Sequence, residues 1–377
     1  MKPPWRDFSL EVYFSQWEFN ARYNLAGSDI QSMALAELLA MANPDELRAW
    51  EALSLGYTET YGAPALREAI AETYSACKPE NVLCFAGAEE GIYCAMHALL
   101  RPQDHAIVCY PNYQSAESIP LSICEVSGWR LAPERDWSPD LDELRSLLRP
   151  NTRLISINFP HNPTGKMLER EKFDELVDLC RQRGLWLFSD EVYRRIEREP
   201  AKRLPQGADV YERALSLNVM SKAYGLAGLR IGWIACQDKR ALLRMERLKH
   251  YLSICNSAPS EALALIALRN RDRILEQNRN LVDRNLALLE AFFAQHRDLF
   301  EWQQPDGSSI AFPRYLGAEG VEAFTRRLVE KRGVILLPAS LFRSELGPVP
   351  PDHFRIGYGR AFVPQALEEV EAFLTGE

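Results

Sequence analysis

Short apolar runs at residues 82–86, 106–110, 153–158, 185–189, 214–219 and 231–236 alternate with longer stretches of helical periodicity, such as 91–100 and 169–183. No other feature limits the possible folds as strongly. Apolar runs of this length suit strands buried on both faces, and the helical stretches between them can cover such a sheet. The expected fold class is α/β: a large domain with a mostly parallel sheet covered by helices. In such sheets ligands bind beyond the carboxyl ends of the strands. Asn158, Asp190 and Val219 fall at or near three of those ends, so any chemistry they carry belongs on one rim.

The remainder of the chain reads differently. Residues 261–296 have a helical pattern, with Leu281, Leu288 and Phe292 at core spacing. Pro305-Asp306-Gly307 reads as a turn before a strand over 309–315, and the tail ends in a strand over 353–358 and a helix from Pro364. The expected division is a large domain over 40–260 and a smaller α+β domain made of 1–39 and 261–377.

Bulk properties narrow the function classes. A net charge of −8 argues against a general nucleic-acid surface, which needs clustered cations. The eight cysteines form no C-x-x-C pair and mostly sit in apolar runs, which suggests free thiols in a reducing compartment. Met1-Lys2-Pro3-Pro4-Trp5-Arg6-Asp7 has no apolar signal core, and no uncharged stretch is long enough to span a bilayer. A cytoplasmic protein with no membrane partner is expected. The six histidines do not cluster as ligands, and neither a Walker loop, an H-E-x-x-H nor a dinucleotide fingerprint is present, so no metal is expected.

Lys222 stands in Ser221-Lys222-Ala223-Tyr224-Gly225-Leu226-Ala227-Gly228-Leu229-Arg230-Ile231-Gly232-Trp233, among small and apolar residues. A lysine in such company belongs in a confined site, where burial lowers its pKa and frees a neutral amine for Schiff-base chemistry. Upstream lie Asn158-Phe159-Pro160-His161-Asn162-Pro163-Thr164-Gly165 and Ser189-Asp190-Glu191-Val192-Tyr193. Taken alone, the first is a turn and Asp190 is a common strand-end residue. The order of the three segments resembles the fold-type I enzymes of pyridoxal 5'-phosphate (PLP), specifically the class I/II aminotransferase family, from about Tyr57 to Arg355.

That resemblance implies a role for each matching residue. Lys222 holds PLP as a Schiff base and moves a proton between the substrate's α-carbon and the cofactor's C4'. Asp190 partners the pyridine nitrogen, while Tyr193 and Asn162 donate to the ring's 3'-oxygen. Gly87-Ala88-Glu89, at a helix start, and Arg230 bind the phosphate. Many relatives place a serine three residues before the lysine; here that position is Val219, and whether Ser221 replaces it stays open. Tyr113 stacks on the pyridine ring. Tyr57 reaches the phosphate of a neighbouring subunit, which implies a homodimer with shared active sites. Arg355 grips the substrate's α-carboxylate, and Gly27 lies in backbone that closes over the substrate.

The function implied is a PLP-dependent aminotransferase acting on an L-α-amino acid and a 2-oxo acid. A second reading keeps the cofactor and changes the reaction to cyclisation, elimination or oxidation. It rests on Trp17-Glu18-Phe19-Asn20-Ala21-Arg22-Tyr23-Asn24-Leu25, with Ser28-Asp29 and Val219-Met220-Ser221-Lys222, which resemble the subgroup that includes capreomycidine synthase-like enzymes. A third reading is a non-catalytic PLP-fold binding protein; the intact set of Lys222, Asp190 and Arg355 speaks against it.

Overall fold

Seven strands build the main sheet in the computed structural model, which describes residues 6–376; Met1–Trp5, the start of the N-terminal run read above, and Glu377 lie outside the described residues. They are β1 (Val82–Phe85), β2 (His105–Tyr110), β3 (Glu125–Arg130), β4 (Thr152–Asn158), β5 (Trp186–Asp190), β6 (Ala214–Val219) and β7 (Gly232–Ala235). Their order across the sheet is β1-β7-β6-β5-β4-β2-β3. β3, β2, β4, β5 and β6 run parallel to one another. β7 alone is antiparallel to both strands beside it. The reason lies in residues 220–231, which carry Lys222 and supply no α-helical crossover.

Six of these strands match the apolar runs. β3 was not anticipated: it is an edge strand, mostly half-buried, with Gly128 at its centre and only Trp129 fully enclosed. Asn158, Asp190 and Val219 are the last residues of β4, β5 and β6. The register sets Asn158 beside Asp190, so one rim carries both side chains.

The C-terminal half departs from expectation in three places. The helical pattern over 261–296 is two helices, Ala258–Arg269 and Arg271–Gln295, broken at Asn270, whose side-chain amide donates to the Ile266 carbonyl at 2.9 Å. Leu288 is not a core residue: it is 41% exposed, and the buried face runs through Val282, Leu286, Leu289 and Phe293. The expected strand over 309–315 is split by Pro313, which has no N–H to donate. Ile310–Ala311 pairs with Phe354–Gly357, while Arg314–Tyr315 pairs with Phe300–Glu301.

Phe354–Gly357 is the middle strand of a small sheet, between Ile310–Ala311 and Leu337–Pro338. The N-terminal segment joins this region. Tyr23–Asn24 pairs parallel with Val334–Ile335, and Gly357 N donates to Leu25 O at 2.8 Å. Gly357 needs to be glycine, because a Cβ would collide with the Gly27 carbonyl. Among the described residues no helix is long and apolar enough to cross a membrane.

Candidate active site

Beyond the carboxyl ends of β4, β5 and β6 lies a cavity of about 340 Å³. Ala88, Glu89, Tyr113, Asn162, Asp190, Tyr193, Ser221, Lys222, Arg230, Arg355 and Gly27 all line it. Gly87 sits immediately beneath Arg230. Tyr57 is absent from this lining and is 92% exposed on the surface. Residues separated by more than 300 positions thus meet because the sheet rim, the small sheet and the N-terminal segment converge.

Lys222 follows β6 by three residues, and its ammonium donates to Ser28 Oγ at 2.8 Å. Burial pushes its pKa down; the charge of Asp29 opposes this and that of Arg355 reinforces it. Ser28 is presented by the N-terminal segment, where its own carbonyl accepts from Ser309 Oγ at 2.9 Å. Asp190 ends β5, and its Oδ1 accepts from Val192 N at 3.2 Å. Burial raises its carboxyl to about 7, against the Val192 hydrogen bond and the Lys222 charge. A cationic partner in the cavity would relieve that cost.

Tyr193 is 2% exposed, and its hydroxyl makes no well-formed hydrogen bond, although Ser28 lies beside it. Burial raises that hydroxyl to about 12, so it remains a donor. A buried hydroxyl without a partner is costly in a closed protein and ordinary at a ligand site. Asn158 Oδ1 accepts from Asn162 N at 2.8 Å, which fixes the turn after β4. Asn162 Oδ1 in turn accepts from Arg355 Nη1 at 3.1 Å. The Arg355 guanidinium is 1% exposed and also donates from Nε and Nη2 to Ala26 O, at 3.2 and 2.9 Å. Its planar fork is therefore aimed before any ligand arrives.

Gly87 has φ +96°, and a Cβ on it would collide with Arg230 Nη2. Helix Ala88–Leu99 begins at the next residue, with no side chain capping its first turn. Arg230 makes no ion pair among the described residues, and its one hydrogen bond goes to Ala227 O at 3.4 Å. Open N–H groups at a helix start, facing an uncommitted guanidinium, make a cradle for a dianion. Val219 is buried within the sheet, opposite Gly232, and Ser221 faces the cavity.

Tyr113 donates its hydroxyl to Glu11 Oε1 at 2.9 Å. The turn that carries it is pinned by His161, whose Nε2 must donate to the Pro111 carbonyl (2.8 Å), leaving Nδ1 to accept from Thr164 Oγ1 (2.8 Å). Burial lowers the His161 pKa to about 4, so it stays neutral in this structural role.

Sequence reasoning missed the wall opposite the rim. Leu10, Glu11 and Phe14 of helix Ser9–Trp17, with Glu18 just after it, line the cavity. Gln114 holds this helix, accepting from Ser9 N and donating to Asp7 O, and the buried Glu117 pairs with Arg6. The apolar spacing of Leu10, Tyr13, Phe14 and Trp17 was the signal that could have found it. Asp29 was quoted only for its resemblance; it lines the cavity, paired with Arg360 at 2.7 Å.

The sequence pattern of the family described as aminotransferase class I and II matches residues 37–370. A solved PLP-dependent aminotransferase from Streptococcus suis superposes with a TM-score of 0.92 at 32% identity, covering 100% of this chain and 99% of that one. Capreomycidine synthase of Streptomyces vinaceus is 29% identical over 353 residues, 93% of this chain and 88% of that protein. An aspartate aminotransferase of Pyrococcus horikoshii is 29% identical over 334 residues, 85% of this chain and 83% of that protein.

Proposed function

The chain belongs to the class I and II aminotransferases, PLP-dependent enzymes acting on an L-α-amino acid and a 2-oxo acid, and from that premise we propose how its residues divide the work. The observation that carries the proposal is the convergence of Lys222, Asp190 and a buried Arg355 on one cavity. When bound, PLP supplies an aldehyde that condenses with amines and a ring that takes up the electrons released at the substrate's α-carbon.

With PLP bound, Lys222 Nζ would be the amine that holds it and then the base that takes up and returns the substrate's α-proton. Its depressed pKa favours the neutral amine that both tasks require. Asp190 would hold the ring nitrogen in its protonated form, Tyr193 and Asn162 would serve the 3'-oxygen, and Tyr113 would cover the ring face. The backbone N–H groups of Gly87, Ala88 and Glu89 and the Arg230 guanidinium would hold the phosphate, with Ser221 in the place of the missing serine at Val219. Arg355 takes the α-carboxylate while the Gly27 backbone closes over the substrate. Replacing Arg355 with alanine should raise KM for the amino acid about 100-fold, the cost of a lost bidentate pair. Steady-state kinetics check this, and an unchanged KM would withdraw the role.

We further propose a cytoplasmic homodimer with shared sites. Support comes from Tyr57, which is 92% exposed, and from segment 251–256, tied to it by Thr58 Oγ1 on Asn256 O, where Tyr251 is 90% exposed. A second copy would cover these aromatics and take Tyr57 to its own phosphate. Mixing inactive Lys222→Ala with inactive Tyr57→Asp should restore activity once subunits exchange, because one hybrid site is then intact. Exchange without recovery would remove the shared site, as would a fully active monomer.

The similarity to capreomycidine synthase favours the second reading, a PLP-dependent cyclase, lyase or oxidase of an amino acid. Holoenzyme mixed with a panel of amino acids separates the two. Keto acid marks transamination, whereas ammonia release or oxygen uptake marks the alternatives.

A further inference from the structure

The cavity carries more carboxyl groups than the cofactor and an α-amino acid can use. Five carboxylates line it, on Glu11, Glu18, Asp29, Glu89 and Asp190, against three cations on Lys222, Arg230 and Arg355. The three cations and Asp190 are committed under the reading above. Asp29 is held by Arg360 through both oxygens, at 2.7 and 2.8 Å. Glu11 accepts from the Tyr113 hydroxyl. Glu89 lies in the first turn of the helix that starts beneath Arg230, and burial raises its carboxyl to about 7.

Glu18 is left over. It follows helix Ser9–Trp17 and faces the cavity, and its carboxylate has no hydrogen bond or ion pair among the described residues. The charges that act on it include the like charges of Asp29 and Glu11, and burial together with those two raises its pKa. Arg360 and Lys222 act on it in the opposite sense, and it lines the same cavity as Lys222 and Arg355. The cavity is a ligand site on grounds independent of these acids, among them the buried, unpartnered hydroxyl of Tyr193. A half-buried carboxylate that has no hydrogen bond or ion pair of its own and lines a ligand cavity is a ready partner for a cation that arrives with the ligand. The α-carboxylate cannot be that ligand group, since it carries the wrong sign and has Arg355.

We propose that the donor amino acid carries a cationic side chain, a guanidinium or an ammonium, and that Glu18 is the residue that selects it, with Glu11 lending its charge. This rests on the aminotransferase reading of the same site. Selection then comes from the N-terminal helix, while the sheet rim performs the common chemistry.

The experiment compares isosteric donors with the holoenzyme: arginine against citrulline, and lysine against 2-aminoheptanoate. Two readouts are taken, binding from the change in cofactor absorbance and turnover from keto acid. Arginine or lysine should exceed its neutral isostere roughly 10- to 100-fold in kcat/KM, the range of a charge-assisted pair. Glu18→Gln should shrink that ratio by a similar factor, and Glu18→Lys should invert it in favour of glutamate. Arginine over lysine would assign the guanidinium; the reverse would assign the ammonium. Equal use of the neutral isosteres, or a ratio unmoved by Glu18→Gln, overturns the inference and leaves the aminotransferase reading intact. Charge-selective binding without keto acid supports the inference and removes the assigned reaction.

Discussion

Lys222→Ala is expected to lower turnover by about four orders of magnitude or more, because one side chain supplies both the amine that holds the cofactor and the base that moves the substrate proton. No other amine can take over: among the described residues that line the cavity, Lys222 is the only lysine. Lys222→Arg should be equally inactive, since a guanidinium does not release its proton at working pH. The fold should survive both changes. The partner of Nζ is the Ser28 hydroxyl, which faces the cavity and can bind water. Cofactor should still be retained after desalting, held by the helix start and Arg230, but without the absorbance of a Schiff base to protein. Steady-state assays and the spectrum of the desalted protein decide the matter. Turnover near that of the parent would remove the catalytic assignment altogether.

Asp190→Ala should cost on the order of 10³-fold in kcat, the scale for removing one preorganised charge from a reacting centre. The carboxylate stands at the end of β5, anchored by Val192 N, and its position is fixed by the sheet register rather than by a loop. A rate within a few-fold of the parent would withdraw the role. A stability measurement on cofactor-free protein gives an independent check. Burial raises the Asp190 carboxyl from 3.8 to about 7. Between those values the folded chain binds more protons than the unfolded one, so the contribution of Asp190 to stability is full below about 3.8 and is lost as pH rises to about 7. Asparagine cannot ionise. The Tm of Asp190→Asn should therefore gain on the parent as pH rises through that window and level off above it. A difference that is flat with pH would mean the carboxyl is not buried as described.

The sequence by itself determined the sheet and which residues stand at its rim. Strands buried on both faces must be apolar along their whole length, so β1, β2, β4, β5, β6 and β7 announced themselves, and β3 escaped because an edge strand is under no such demand. Lys222, Asp190 and Asn162 were legible because each stands in a short segment whose residues are constrained together. The second, smaller region was less legible. Pro313 divides one apolar stretch between two pairings, and a seven-residue step along a helix of 3.6 residues per turn drifts off the core face, as Leu288 does. Only the tertiary structure decided what stands opposite the rim. Ser28 meets Lys222, Ala26 and Asn162 aim Arg355, and Glu18 enters the cavity from more than 200 residues away in the chain. Those contacts depend on the N-terminal segment threading beside Phe354–Gly357, and no local pattern encodes a pairing between the two ends of a chain.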